Sequence, residues 1–212
     1  MKLTLFGATG GTGRYLMEQA LAAGNEVVAY VRSPAKISTS QTGLTIVQGE
    51  LTDLAALGRA IYGADAVTSV LGPRPGEDLH NQPLTHGMQA ILAAMHSNDV
   101  RRLVISSTPS AADPNDLPDL QFKLLVAIIR TIMRPAYEEI VSVARTVRAS
   151  ELDWTIVRVS LLNNQAGTGR IRAGYLGRRQ VGTKLSRADL ARFMLGQVQD
   201  NAWLRQAPAI SN

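Results

Sequence analysis

The chain of 212 residues contains no cysteine. Disulfide bonds, thiolate catalysis and cysteine-bound metals are therefore excluded. No apolar run reaches the roughly 18 residues that a membrane-spanning helix needs. A single residue precedes the first predicted strand, so no secretory signal is expected. These absences predict a soluble, most simply cytoplasmic, protein that does not interact with membranes.

Histidine is scarce as well. The three histidines, His80, His86 and His96, have neither the spacing nor the neighbouring carboxylates of a zinc site, so no metal is expected. The sequence also lacks a helix-turn-helix pattern and a basic arm. Direct binding of nucleic acid is therefore not expected.

Near its start, the chain carries three glycines spaced by three residues. They follow a predicted strand, Lys2–Phe6, and precede a helical run from Tyr15 to Ala23. In such a context the first glycine permits a tight turn, the second lets the backbone approach a pyrophosphate, and the third allows close packing of the helix. The helix N-terminus adds a positive dipole. We therefore assign the whole turn to cofactor binding: Gly7, Thr9, Gly10, Gly11, Thr12 and Gly13.

The end of the second predicted strand, Glu26–Val31, indicates which dinucleotide is bound. An NAD site would place an acidic residue there, about 20 residues past the glycines, to bind the ribose hydroxyl. This chain has Arg32, with Ser33 and Lys36 beside it. A guanidinium matches a phosphate better than a hydroxyl, which predicts NADP(H) as the cofactor. The alternative is that Arg32 and Lys36 are solvated surface residues.

Strands and helices continue to alternate along the chain, which predicts an α/β fold with a parallel sheet covered on both faces. The further predicted strands are Leu44–Gln48, Ala66–Leu71, Arg102–Ile105 and Trp154–Val157; the further predicted helices run from Asp53 to Ala60, Pro83 to His96 and Tyr137 to Ser150. In such sheets ligands bind beyond the carboxyl ends of the strands. Those ends carry Glu50, Leu51, Gly72, Ser106, Ser107 and Thr108.

The net charge of +5 is unevenly distributed. Residues 121–192 hold 13 Lys and Arg against 5 Asp and Glu, whereas the rest of the chain holds 9 against 12. The basic excess lies in the half that is not expected to hold the dinucleotide, which suggests an anionic partner there. A scattered basic surface is an equally good interpretation.

The motifs together resemble an atypical short-chain dehydrogenase of the NAD(P)H-binding, NmrA-like family, in the branch that contains biliverdin reductase B and flavin reductases. The resemblance rests on the glycine turn and on five further runs: Val31–Pro34, Gly49–Leu51, Val104–Thr108, Leu152–Arg158 and Ser186–Ala191. It implies a single Rossmann-like domain over residues 1–212, doubly wound, with a small C-terminal substrate-side region. The substrate-side segments would be about 109–136 and 159–186.

Site residues follow from the same resemblance. It implies that Glu50 and Leu51 frame the adenine and that Gly72 lets the cofactor pass over the fourth strand. Ser106 would also contact the cofactor. Thr108 stands where the family has a catalytic hydroxyl, and Ser107 is its neighbour. The alternative for these hydroxyls is that they bind backbone groups at a strand end.

The Tyr-x-x-x-Lys pair of many short-chain dehydrogenases is missing, because Tyr137 has Val141 four residues on. Its absence argues against alcohol dehydrogenase or sugar epimerase chemistry. Reduction of a flavin, bilin or quinone-like acceptor needs no such pair, because the conjugated ring spreads the charge. We predict an NADPH-dependent reductase with a planar, anionic small-molecule acceptor, as a monomer or small homo-oligomer. The alternatives are a non-enzymatic NADP(H)-sensing regulator and, less favoured, an epimerase or dehydratase.

One segment, Leu120–Met133, is apolar at ten of its fourteen positions and is interrupted by Lys123 and Arg130. It is too short to span a membrane. A lid above the nicotinamide is slightly favoured over a buried core helix or a subunit interface.

Overall fold

The computed structural model describes residues 1–37, 41–74, 76, 78–178 and 180–212. Residue 179, in the second predicted substrate-side segment, lies outside the described residues. The strands are β1 Lys2–Phe6, β2 Glu26–Val31, β3 Leu44–Gln48, β4 Ala66–Ser69, β5 Arg102–Ser107, β6 Asp153–Arg158, β7 Leu161–Asn163, β8 Arg172–Gly174, β9 Lys184–Ser186 and β10 Ala209–Ser211. The helices are α1 Gly11–Ala22, α2 Leu54–Ile61, α3 Pro83–Ser97, α4 Leu120–Ile132, α5 Arg134–Ala149 and α6 Arg187–Gly196, with a short 3-10 turn at Pro34–Lys36.

The main sheet has the strand order β3-β2-β1-β4-β5-β6-β10-β8 in the described part of the chain. Strand β1 pairs in parallel with both β2 and β4, so the direction of winding reverses beside it. This confirms the predicted doubly wound parallel sheet. Two additions were not predicted: β10 joins β6 in parallel, and β8 closes that edge antiparallel to β10. A separate pair, β7 and β9, lies outside the main sheet.

Apolar side chains fill the space on both faces of the sheet, which confirms the predicted two layers of helices. One cluster joins the sheet to α2, α3 and α5 and includes Phe6, Leu57, Ile91, Val147 and Ile156. The other joins it to α1 and α6 and includes Leu5, Leu16, Val104, Leu190 and Met194. The two helix layers therefore fix the strand ends at which the candidate site lies.

Several boundaries differ from prediction. Helix α1 begins at Gly11, four residues earlier than predicted, because the glycine turn closes directly into the helix and the Arg14 N–H donates to the Gly10 carbonyl at 3.0 Å. Strand β5 runs on to Ser107 because its ladder with β6 continues to that residue. The three-residue strands β7 to β10 are too short to show any apolar periodicity and were missed.

The apolar segment after β5 forms α4, which lies at the surface. Phe122 is its one buried side chain, whereas Leu120, Leu124, Ile128 and Ile132 are exposed. The alternative of a buried core helix is therefore wrong for most of α4, whereas the subunit interface stays a prediction. Among the residues that the structure describes, no helix has the length and apolarity required to cross a membrane.

Candidate dinucleotide and acceptor site

The glycine turn has a geometry that requires glycine at two positions. Gly7 has a φ of +88°, in the left-handed region, and its carbonyl accepts from the Gly10 N–H at 3.0 Å. A side chain at Gly13 would overlap the Gly7 carbonyl oxygen and lie 2.9 Å from the Ala8 Cα. Helix α1 can therefore approach the turn only because Gly13 has no side chain.

The first turn of α1 exposes unpaired donors. No described residue accepts a hydrogen bond from the backbone N–H groups of Gly11, Thr12 or Gly13. The N-cap residue, Gly10, has no side chain, and the first turn contains no acidic residue. Three free N–H groups at a positive helix end form a ready site for an anion such as a pyrophosphate.

A groove of about 810 Å³ runs from this turn across the ends of β2 and β3. It is lined by eight of the residues predicted to bind cofactor: Gly7, Thr9, Arg32, Ser33, Lys36, Glu50, Leu51 and Gly72. The side chains of Arg32, Ser33 and Lys36 are exposed, so their polar groups are accessible to a ligand. The structure thus brings together residues that are spread over 66 positions of sequence.

Tyr30 supports the part of the groove that Arg32, Ser33 and Lys36 line. Its hydroxyl donates to the Glu50 carbonyl at 2.6 Å. Burial and the nearby Asp53 and Glu50 carboxylates raise the pKa of Tyr30 to about 12. Gly49 leaves room for this ring, because a Cβ there would lie 2.8 Å from the Tyr30 Cζ. Tyr30 therefore remains a neutral donor that fixes the loop after β3.

A second cavity, of about 220 Å³, adjoins the groove and shares Leu71, Gly72 and Leu84 with it. Its polar lining includes the predicted hydroxyl residues at the end of β5 and Thr12 of the glycine turn; apolar side chains such as Val70, Met88, Ile140, Val143, Val159 and Leu162 form most of the remainder. No residue of α4 lines either space, so the structure gives no support to the predicted lid.

The hydroxyls at the end of β5 have different surroundings. The Thr108 hydroxyl accepts from the Ser110 N–H at 3.3 Å, which leaves its own hydrogen available for donation. No described residue bonds the Ser106 or Ser107 hydroxyl. All three line the small cavity. Their catalytic or binding roles remain predictions.

Glu139 on α5 is a cavity residue that the sequence did not reveal. Its side chain is fully buried, and its two carboxylate oxygens accept from the backbone N–H groups of Leu84 and Thr85, at 2.8 and 3.0 Å, and from the Thr85 hydroxyl at 2.6 Å. Glu139 therefore caps α3 in place of the helix's own N-cap, Gln82, which makes no side-chain cap. In the sequence, the only sign of this contact is that no local residue caps the start of α3.

The face of α5 that lines the cavity carries Glu139, Ile140 and Val143. Neither a tyrosine nor a lysine of α5 lines it, which agrees with the absence of the Tyr-x-x-x-Lys pattern. The N-terminal half of α3 also contributes groove residues that were not predicted, among them His86 and Gly87. Gly87 allows Leu51 to pack closely, because a Cβ there would lie 3.0 Å from the Leu51 Cβ.

A buried ion pair anchors the loop that follows Thr108. Arg158 at the end of β6 is fully buried and donates to both Asp116 oxygens, at 2.5 and 2.8 Å. Burial raises the pKa of Asp116, but the hydrogen bonds from Arg158 and from the Asp113 N–H outweigh it and leave the pKa below its usual value. The loop is also held by Asp113, whose carboxylate accepts from the Ala207 N–H at 3.2 Å.

A glycine turn beside the switch in strand order, with a groove across the strand ends, defines a dinucleotide-binding protein of the Rossmann type. Comparison with known families agrees. The model of the NAD(P)H-binding family matches residues 7–201, and the chain therefore belongs to that family. The family predicted from the sequence motifs is confirmed.

The individual proteins that resemble this chain share only 17–32% of its residues in the aligned regions. The chain is 32% identical over 152 residues to (4-alkanoyl-5-oxo-2,5-dihydrofuran-3-yl)methyl phosphate reductase of Streptomyces griseus, which covers 72% of this chain and 45% of that protein. The chain thus spans less than half the length of this curated relative. An anaerobillin reductase of Escherichia coli has the same fold, with a TM-score of 0.80 at 19% identity over 100% of this chain and 97% of that one. A short-chain dehydrogenase/reductase of Veillonella parvula, solved in complex with NADP, gives 0.77 at 17% identity over 100% and 94%.

Proposed function

We propose that this protein is an NADPH-dependent reductase that transfers hydride to a planar conjugated acceptor such as a flavin, a bilin or a quinone. The observation that carries the proposal is the junction of the two spaces at Leu71, Gly72 and Leu84. A dinucleotide in the groove, with its phosphates at the glycine turn, would extend its nicotinamide through this junction. The ring would then face whatever occupies the small cavity.

The choice of NADPH over NADH is supported by the end of β2. Arg32, Ser33 and Lys36 line the groove there, and the acidic residue of the strand, Glu26, is at its opposite end. A guanidinium and an ammonium beside the ribose favour the additional phosphate of NADPH. The Veillonella structure of the same fold shows that NADP is bound by a protein of this architecture.

The apolar lining of the small cavity supports a planar conjugated acceptor. Its walls are mainly apolar, and no Lys or Arg among the described residues lines it. A flat ring system fits such walls, whereas the anionic groups expected of the acceptor would remain at the rim. Positioning of two rings and exclusion of water are the main contributions that the protein would make to hydride transfer. The proteins of Streptomyces and Escherichia coli named above are both reductases, which is consistent with a reductase activity for this chain.

The proposal is tested by mixing the purified protein with NADPH and a panel of FMN, riboflavin, biliverdin and quinones. Oxidation of NADPH, followed by its absorbance, should occur with at least one acceptor and should be slower with NADH. Tight binding of NADPH without turnover on any acceptor would contradict the enzyme proposal and favour the NADP(H)-sensing alternative.

A further inference from the structure

Helix α6 brings an arginine onto the glycine turn. A Cβ built on Gly11 would lie 2.9 Å from the Cδ, 3.0 Å from the Nε and 3.9 Å from the Cζ of Arg187. Arg187 is the first residue of α6, and Gly11 is the first residue of α1. The guanidinium thus lies against the helix end whose three N–H groups have no described acceptor.

The position of Arg187 is fixed by its neighbours. Its Nη1 donates to the Asn164 side-chain oxygen at 2.7 Å. The next residue, Ala188, accepts from the Gln19 side chain of α1 at 3.0 Å, which ties α6 to α1. Ser186 caps α6, and its hydroxyl accepts from the Asp189 N–H at 3.0 Å.

Asp189 holds the loop that carries Asn164. It is fully buried, and its oxygens accept from the Thr168 N–H at 2.8 Å and the Gly169 N–H at 3.0 Å. Burial raises the pKa of Asp189, but these hydrogen bonds together outweigh burial and leave the pKa below its usual value. Ser186 and Ala188, which flank Arg187, are therefore held by hydrogen bonds that do not involve the Arg187 side chain.

No ion pair of the described chain includes Arg187, and the hydrogen bond of its side chain goes to a neutral amide, that of Asn164. A guanidinium at the positive end of α1 repels that helix dipole unless an anion lies between them. Arg187 thus lies beside the first turn of α1, and the N-terminus of this helix is where a Rossmann-type turn binds a pyrophosphate.

We propose that Arg187 is a ligand of the cofactor pyrophosphate, which it contacts from the side opposite to the glycine turn. This inference deepens the proposed function, since it rests on dinucleotide binding at the same site. It also assigns a role to the Ser186–Ala191 run and to Gly11: the glycine leaves the space in which the guanidinium lies. A cofactor would then be held by both ends of the chain, by α1 near the start and α6 near the end.

The test measures binding, not turnover. Dissociation constants for NADPH, NADH and adenosine 2′-phosphate are determined by calorimetry for the wild type, Arg187→Gln and Arg192→Gln. Arg192 is an exposed arginine of the same helix and serves as the matched control. Loss of a charge-assisted contact should weaken both dinucleotides by about 10- to 100-fold in Arg187→Gln. Adenosine 2′-phosphate, which has no pyrophosphate, should bind equally well, and Arg192→Gln should resemble the wild type.

A second variant keeps the arginine. Gly11→Ala should displace the Arg187 side chain, because its methyl meets only atoms of that flexible side chain. It should weaken NADPH without lowering the melting temperature by more than a few degrees. Unchanged NADPH affinity in folded Arg187→Gln, or an equal loss for adenosine 2′-phosphate, would overturn the inference. Absence of any dinucleotide binding in the wild type would overturn both proposals, whereas binding without turnover would overturn only the proposed reductase activity.

Discussion

The close packing of α1 on the glycine turn can be tested by adding one methyl group. In Gly13→Ala the new Cβ would overlap the Gly7 carbonyl oxygen and lie 2.8 Å from the Gly7 carbonyl carbon and 2.9 Å from the Ala8 Cα. All three obstacles are backbone atoms, so no rotamer change can relieve them. Overpacking costs about 1–3 kcal/mol where side chains can yield. We expect the upper end here, about 3 kcal/mol, which lowers the melting temperature by roughly 6–12 °C for a chain of this size.

Two other glycines provide controls for the same substitution. A Cβ at Gly10 meets only the Gly7 carbonyl oxygen, at 3.3 Å, and one at Gly58 meets nothing within 4 Å. Gly10→Ala should therefore cost less than about 1 kcal/mol, and Gly58→Ala, inside α2, should stabilise by about 0.5–1 kcal/mol. Thermal unfolding followed by circular dichroism measures all three. If Gly13→Ala melts within a degree or two of the wild type, the packing argument is refuted.

Substitutions of Arg32 and Thr108 should affect different properties, the cofactor preference and the turnover. Arg32→Ala should erase most of the preference for NADPH over NADH, by removing a charge-assisted contact of about 1.5–3 kcal/mol; a wild type that binds both cofactors equally in titration would contradict the assignment. Thr108→Val should lower turnover about tenfold or more at nearly unchanged NADPH affinity, as for a contact made mainly in the transition state. Thr131→Val on the exposed face of α4 is the matched control, and unchanged turnover of Thr108→Val with every acceptor would refute a catalytic role.

The parts of the fold and site that could be predicted have local signals. Strands β1 and β2 have the predicted bounds because each is a short apolar run that ends at a glycine or a polar residue. Groove residues such as Arg32 and Gly72 follow strand ends, and parallel strands bring those ends to one edge. The start of α1 was misplaced because glycine is a poor helix former in general. In the first turn of α1, the low helix propensity of glycine is outweighed by the close packing of Gly13 on Gly7.

Contacts between distant segments could not be predicted. Glu139 and Thr85 are 54 residues apart, and Arg158 and Asp116 are 42 apart. Nothing in the sequence near either carboxylate indicates its partner, since each pairing depends on how helices and loops pack on the finished sheet. Arg187 illustrates the same limit. Its run was recognised as a family motif, but its place on the first turn of α1 follows only from the packing of α6 against α1.

Glu139 is the one carboxylate that lines the small cavity in the described structure, and its role can be separated from catalysis. Three hydrogen-bond donors converge on its two buried oxygens. In Glu139→Gln one oxygen becomes an amide that cannot accept, so at least one buried donor at the start of α3 loses its partner. Loss of a charged acceptor and of a favourable helix-dipole contact should cost about 3 kcal/mol.

The comparison variant is Glu138→Gln, because Glu138 is exposed and pairs with Arg134 at 2.7 Å at the surface. A surface pair contributes little, so this variant should unfold within about 1 kcal/mol of the wild type. Urea unfolding of both variants, together with the pH dependence of NADPH oxidation, distinguishes the roles. A structural Glu139 predicts a lower free energy of unfolding and an unaltered shape of the pH profile. If Glu139→Gln is as stable as the wild type yet loses one limb of that profile, the carboxylate is an acid or base of the reaction, and the hydroxyls of β5 are not sufficient for proton donation.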